Sequence, residues 1–302
     1  MATATRSSST QHWENFLNGF ESAFNWPKTF ILFYSSTTVR NAMLNTFILN
    51  GLFFLGSVVF LETYYKNHTL LGCTYASLLG YPMYIALLVI NGKFYSKVAE
   101  KSLQIQNKNQ SNASAGDIAN AIQSMATTIY TTIFYINCGV FAALLRSIPV
   151  VGTLLSLLMN CLIMAYYCFE YRWVYLGWSL EKRLTYIEQH WSFFLGFGVP
   201  ITVLTFFLST LRSGALFALF YPSYVIMAFL ASPKSMSPTG QPISSTASSN
   251  PEWMLPNKIP AFAIVRQLNK LVTLLVKFVG GVRVQSVMSE STTTTPSTKK
   301  QQ

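Results

Sequence analysis

The 302 residues are 51% hydrophobic and 15% aromatic but only 10% charged, where an ordinary soluble domain carries about 25% charged residues. That balance excludes a soluble globular domain and predicts an all-helical, polytopic integral membrane bundle. The formal charge of +11 is read as basic residues held at membrane edges, not as a nucleic-acid surface.

In chain order, the first element is an amphipathic helix in which Trp13, Phe16, Leu17, Phe20 and Phe24 form an apolar stripe ending before Pro27. No basic segment followed by an apolar run and a small-residue cleavage site occurs in the first thirty residues, so the first span is expected to act as an uncleaved anchor. Residues 1–41 are assigned to a cytosolic tail carrying this interfacial helix, and 42–230 to the transmembrane domain.

Six uncharged apolar segments lie in that domain: Ala42 to Leu61, Leu70 to Ile90, Ile118 to Leu145, Ile148 to Phe169, Ser192 to Leu211 and Gly214 to Leu230. A hydrocarbon layer of ~30 Å needs ~20 helical residues. The fourth segment meets this length and runs into a helix-periodic stretch with Trp173, Leu176, Leu180, Leu184, Ile187 and Trp191 on one face. The gaps alternate in charge. Those on one side hold 3, 4, 3 and 8 of the 21 lysines and arginines, while the other gaps hold only Lys66, Arg146 and Arg212. By the positive-inside rule, both termini are expected in the cytosol.

The last two segments are interrupted by Gly196, Gly198 and Pro200 and by Pro222. They are read either as full spans or as a re-entrant hairpin. The interruptions admit two meanings: close packing, or broken helix ends aimed at an ion.

Beyond the spans, 231–258 is rich in Ser, Pro and Thr and reads as a flexible linker. Residues 259–288 form a basic amphipathic helix. Ile264, Leu268, Leu271, Leu275, Val279 and Val282 cluster on one face, with Arg266, Lys270 and Lys277 opposite. This pattern suits a helix lying on an anionic phospholipid surface, or one packed on the bundle with its basic face in water. Residues 289–302, ending Lys299-Lys300-Gln301-Gln302, read as a disordered tail.

Catalytic and metal signatures are missing from the sequence. No nucleophile elbow, phosphate loop or His-Glu-x-x-His motif occurs. His12, His68 and His190 are scattered, and no Cys/His group has ligand spacing, so neither cofactor nor metal is expected. Cys138 and Cys161 lie inside apolar runs, and Cys73 and Cys168 near membrane edges, so all four are expected to be reduced. Cys168 is read as a buried packing residue or a palmitoylation site. Glu170, Glu181 and Glu188 are expected on a solvated helix face with local Lys and Arg partners, and Tyr166, Tyr167, Tyr171 and Trp173 as an interfacial aromatic belt. Asn67-His68-Thr69 is an acceptor motif on the predicted lumenal side.

The run Tyr167-Cys168-Phe169-Glu170-Tyr171-Arg172-Trp173 is more specific. Together with Arg183-Leu184, Ile187-Glu188, Trp191 and Phe194-Leu195-Gly196-Phe197-Gly198-Val199-Pro200, it resembles the etoposide-induced, autophagy-associated family of endoplasmic reticulum membrane proteins. The resemblance implies a non-enzymatic multi-pass protein of the endoplasmic reticulum that promotes autophagosome formation, with autophagy proteins as partners. It also implies a distant likeness to CysZ-type sulfate permeases, through Ile148-Pro149-Val150-Val151-Gly152 and Tyr167-Cys168. The bacterial pattern has an arginine pair before the first span and a Gly-Leu-Leu turn after the second. This chain has Lys28 and Arg40 apart, and Asn91-Gly92-Lys93 at the turn. A small-anion permease and a scaffold that binds anionic lipid or partner proteins are the alternative activities.

Overall fold

The computed structural model describes residues 8–65, 68–70, 72–107, 125–233 and 259–280. The linker beyond Ser232-Pro233, the tail, Asn67 of the acceptor motif and the segment 281–288 lie outside them. Among the described residues the architecture is all-helical apart from one two-residue antiparallel ladder pairing Thr69–Leu70 (β1) with Cys73–Thr74 (β2).

Helix α1 (Ser8–Ser22) is followed by the short α2 (Trp26–Ser35), which has Pro27 in its first turn, where a missing N–H costs nothing. Ser36 ends α2 and caps the next helix by accepting from Val39 N at 3.4 Å. The first long apolar helix, α3, runs over Thr37–Tyr64, with a π-helical stretch at Phe47–Leu55. After the β-ladder, α4 (Tyr75–Asn107) continues well past Ile90, where the second apolar segment ends. Pro82 does not stop it. Four further helices are α5 (Met125–Arg146), α6 (Gly152–Tyr175), α7 (Leu180–Gln189) and α8 (Trp191–Phe206). The chain ends its described course with α9 (Thr210–Leu230) and α10 (Ala263–Gly280).

Among the described residues, four helices, α3, α4, α6 and α9, are long and apolar enough to cross a membrane. Apolar side chains cover much of the outside of the bundle, with Leu52 70%, Val89 68% and Ile85 62% exposed. In water such a surface would be untenable; in a bilayer it is the solvent face.

α8 is a continuous helix across Pro200, and α9 is continuous across Pro222. The interruptions therefore do not break the backbone. Length still separates the pair. The 16 residues of α8 give about 24 Å and the 21 of α9 about 31 Å at ~1.5 Å per residue, so α8 falls short of a ~30 Å layer. The turns at this end carry apolar tips. Val150 is 99% exposed, and Phe207 is 69% exposed. Val150 also adopts a φ of 66°, a left-handed conformation that a β-branched residue rarely tolerates.

The core is centred on α6, whose buried face includes Met159, Leu162, Tyr166, Phe169 and Trp173. α8 lies against it, and Phe169 meets the rings of Phe193, Phe194 and Phe197 at centroid distances of 6.2, 5.1 and 4.9 Å. Two further clusters tie α3 and α4 to α9: Leu32, Val39, Ala42, Val98 and Ile226 at one end, and Phe54, Val58, Leu87, Leu211 and Ala215 nearer the β-ladder. Between them Asn50 and Asn91 exchange side-chain hydrogen bonds at 3.0 and 2.8 Å, both buried. In hydrocarbon an unpaired amide is costly, so reciprocal pairing fixes the register of α3 on α4.

Candidate functional site: the polar knot of the α6–α7–α10 end

The motif that marks the sequence sits at the C-terminal end of α6, opposite the β-ladder, and its residues divide the work. Tyr167 stacks on Tyr135 of α5 with centroids 4.1 Å apart, and its carbonyl accepts from the Tyr221 hydroxyl of α9 at 2.8 Å. Phe169 fills the α8 interface. Trp173 stacks on Trp178 at 6.2 Å and meets Tyr186 edge-on. Tyr171 lies beside Tyr221. Tyr166 is fully buried and Trp173 only 2% exposed, so these two are core residues, not members of an interfacial belt. Cys168 is also fully buried, which supports the packing reading and leaves its thiol inaccessible to an acyl donor.

Arg172 reaches the C-terminus of α9. Its guanidinium donates to Ala228 O at 3.0 Å, to Ala231 O and to Ser232 Oγ at 3.3 Å. The two carbonyls belong to the helix end, where such groups are left without partners, and a cation there also suits the helix dipole. Glu170 accepts from the Tyr135 hydroxyl and faces Arg183 at 3.7 Å. Arg183 is 6% exposed and also donates to Trp178 O at 2.9 Å.

Two of the acids, Glu170 and Glu188, depart from the solvated face expected of them. Glu188 is fully buried. Its Oε1 accepts from Phe262 N at 3.1 Å, while Oε2 pairs with Arg266 at 3.0 Å. Arg266 also faces Glu181 at 3.4 Å. Arg266 thus differs from the lipid-surface residue expected of it, because a buried carboxylate claims its charge. Lys270 is exposed, as a surface residue should be. The side chain of Lys277 lies outside the described residues. His190, at the α7–α8 junction, contacts Tyr186 O through Nδ1 at 3.0 Å, and burial holds its imidazole below the usual value.

Both terminal helices, α1 and α10, dock in an unexpected orientation. α10 turns Phe262, Val265 and Asn269 inward, with Asn269 accepting from Asn137 of α5 at 3.3 Å. Its apolar residues Ile264, Leu271 and Leu274 point away and are 56%, 57% and 63% exposed. α1 does the same. Asn15, Gly19 and Ala23 are buried against the bundle, while Trp13, Leu17 and Phe24 are exposed. On α1 the small or polar face holds the protein, on α10 Asn269 does so together with the apolar Phe262 and Val265, and in both other apolar residues face outward. That is the arrangement for a helix whose surroundings are partly lipid.

Gly196 and Gly198 explain their own place in the motif. A Cβ on Gly196 would lie 2.1 Å from Phe16 O of α1, and one on Gly198 would lie 1.9 Å from Cys161 O of α6. Gly19 makes the matching approach from α1, where a Cβ would meet Phe193 O at 2.0 Å. Backbones this close exclude every other residue. α8 is clamped between α1 and α6, and the packing reading of Gly196 and Gly198 holds.

Sequence reasoning missed Tyr135, Arg183 and Glu188 as partners. A signal existed for the last two: Arg183 and Glu188 interleave with Leu184 and Ile187 at helical spacing, so a face that buries the leucine also buries them. Among the described residues, no three His, Cys, Asp or Glu side chains converge as a metal requires.

The sequence profile described as sulfate transporter CysZ/etoposide-induced protein 2.4 matches residues 25–222. The chain belongs to the EI24/CysZ family. Relatives within it include the protein EI24 homolog of Dictyostelium discoideum, 27% identical over 80% of this chain and 78% of that protein. The protein EI24 homolog of Arabidopsis thaliana is 28% identical over 76% of this chain and 87% of its own length. A shorter match, 30% identical over 33% of this chain, is to ectopic P granules protein 4 of Caenorhabditis elegans. No solved structure matches the chain. The EI24/CysZ match takes in α2 to most of α9, hence the motif and the close approach of Gly198 to Cys161, and leaves out α1, α10 and the end of α9 that Arg172 caps.

Proposed function

We propose that this EI24/CysZ-family membrane protein acts without catalysis in the endoplasmic reticulum, supporting autophagosome formation, with both termini in the cytosol. The observation that carries the non-transport reading is the saturation of its interior cations. Arg172 is committed to the carbonyls closing α9, Arg183 to Glu170 and Trp178 O, and Arg266 to Glu188 and Glu181. An anion pathway would instead keep such guanidinium groups facing a water-filled route. The outward apolar stripes of α1 and α10, with Lys270 exposed beside the second, support a role at the membrane surface, including contact with anionic phospholipid.

Deleting the gene in its native cells and following autophagic flux tests this reading. The expected result is arrested autophagosome maturation; normal flux in the null cells would sink it. The rival activity named in the family description, sulfate transport, predicts uptake by protein-loaded liposomes above that of empty ones, and flux at the empty-liposome level is expected. Cys73 provides a topology check. It is the one exposed cysteine of the four and lies in the β-ladder, on the side expected to be lumenal. In sealed microsomes it should resist an impermeant maleimide until the membrane is permeabilised. Labelling before permeabilisation would reverse the orientation.

A further inference from the structure

A groove of 510 Å³ opens between α3 and α4 towards their β-ladder end, lined by Leu52, Phe53, Gly56, Ser57, Phe60, Leu61, Leu79 and Met83. Its position is set by two stripes. Phe53, Ser57, Phe60 and Tyr64 follow one another at helical spacing on α3, and Tyr75, Leu79 and Met83 recur at four-residue intervals on α4. The floor is open at Gly56, where a Cβ would meet only Gly51 O at 4.0 Å. The lining is almost wholly apolar and sits at bilayer depth, so hydrocarbon fills it.

The upper end of the groove has a different chemistry. Tyr65, His68 and Tyr75 form a triangle of rings with centroids 5.6, 6.0 and 6.3 Å apart, and Phe60 continues it, 6.1 Å from Tyr65 and 4.9 Å from Tyr64. Tyr65 is 42% exposed, so the triangle is open to a headgroup. The Tyr65 ring stands at 69° to His68 and 87° to Tyr75, whose rings are 27° apart; ring faces attract a cation within ~6 Å of the centroid, and a quaternary ammonium group is the ligand that such rings suit best. A generic interfacial belt would anchor the helices without regard to headgroup. Here the rings adjoin an acyl-chain-sized groove, and Phe60, which lines the groove, meets Tyr65 of the triangle.

We propose that this groove and its aromatic triangle form a binding site for a choline-headgroup phospholipid, with an acyl chain between α3 and α4 and the trimethylammonium group on Tyr65, His68 and Tyr75. The site is independent of the autophagy reading.

Native mass spectrometry of the full-length protein, loaded with equal amounts of phosphatidylcholine, phosphatidylethanolamine and phosphatidylglycerol of identical chains, tests it. Retention of phosphatidylcholine about fivefold above the other two is expected. Equal retention of the three by the unaltered protein would overturn the proposal, and this comparison needs no variant to fold. In a protein carrying Tyr65→Leu and Tyr75→Leu the preference should vanish, whereas Tyr75→Phe, which keeps the ring, should preserve it. Gly56→Trp, which fills the floor, should lower retention of all three lipids. A choline preference that survives loss of both tyrosines would also refute the site.

Discussion

Replacing Arg266 with Ala is expected to lower stability by about 3–5 kcal/mol, because it leaves a buried carboxylate without its counter-charge. Glu188 is fully buried, and Arg266, at 3.0 Å, is its cationic partner. The pair also does mechanical work, since Glu188 accepts from Phe262 N, and its main-chain carbonyl from Ile259 N at 3.3 Å. One acid thus docks the beginning of α10 by side chain and backbone. Arg266→Ala should therefore release α10 as well as lower the melting temperature in detergent. Faster amide exchange in 259–280 would report the release. Glu188→Gln with Arg266 retained should cost less, because the amide still accepts from Phe262 N and Arg266 keeps Glu181 at 3.4 Å. Equal melting temperatures for the native protein and Arg266→Ala would show that the pair is not what holds α10.

The second large effect is expected at Gly198. Alanine there puts a methyl group 1.9 Å from the Cys161 carbonyl oxygen, and neither side can yield without separating α6 from α8. Overpacking of a core usually costs up to about 3 kcal/mol, and contact with rigid backbone places this site at the upper end. Gly196→Ala strikes Phe16 O of α1 at 2.1 Å instead and should loosen α1 while leaving the α6–α8 interface intact. The fraction of protein eluting as a monodisperse peak after mild-detergent extraction measures both. Gly139→Ala, where nothing lies within 4 Å of the added Cβ, is the control and should behave as the native protein. A Gly198→Ala protein as stable as that control would refute the clamp.

These two predictions concern residues that the sequence brought to attention for other reasons. Gly198 was legible as an unusual glycine beside a proline in an apolar run, but the sequence leaves open whether such a glycine breaks a helix or admits a neighbour. Arg266 was legible as one of three basic residues on an amphipathic face. Nothing local distinguishes it from Lys270, because the distinction lies 78 residues away in Glu188. The same holds for Arg172, whose partners at Ala228 and Ala231 come from another helix.

By itself, the sequence determined the membrane class and the apolar segments. These follow from composition and from periodicity within one helix, which hydrocarbon enforces locally, residue by residue. Tertiary structure decided which face each helix turns inward. In a soluble protein the apolar stripe marks the core, but in a bilayer both protein and lipid accept apolar side chains, and small or paired polar residues choose the protein side. Asn15, Gly19 and Ala23 on α1 and Arg266 and Asn269 on α10 make that choice. Their partners, Phe193 O, Glu188 and Asn137, lie on helices distant in sequence, and only packing brings them within reach.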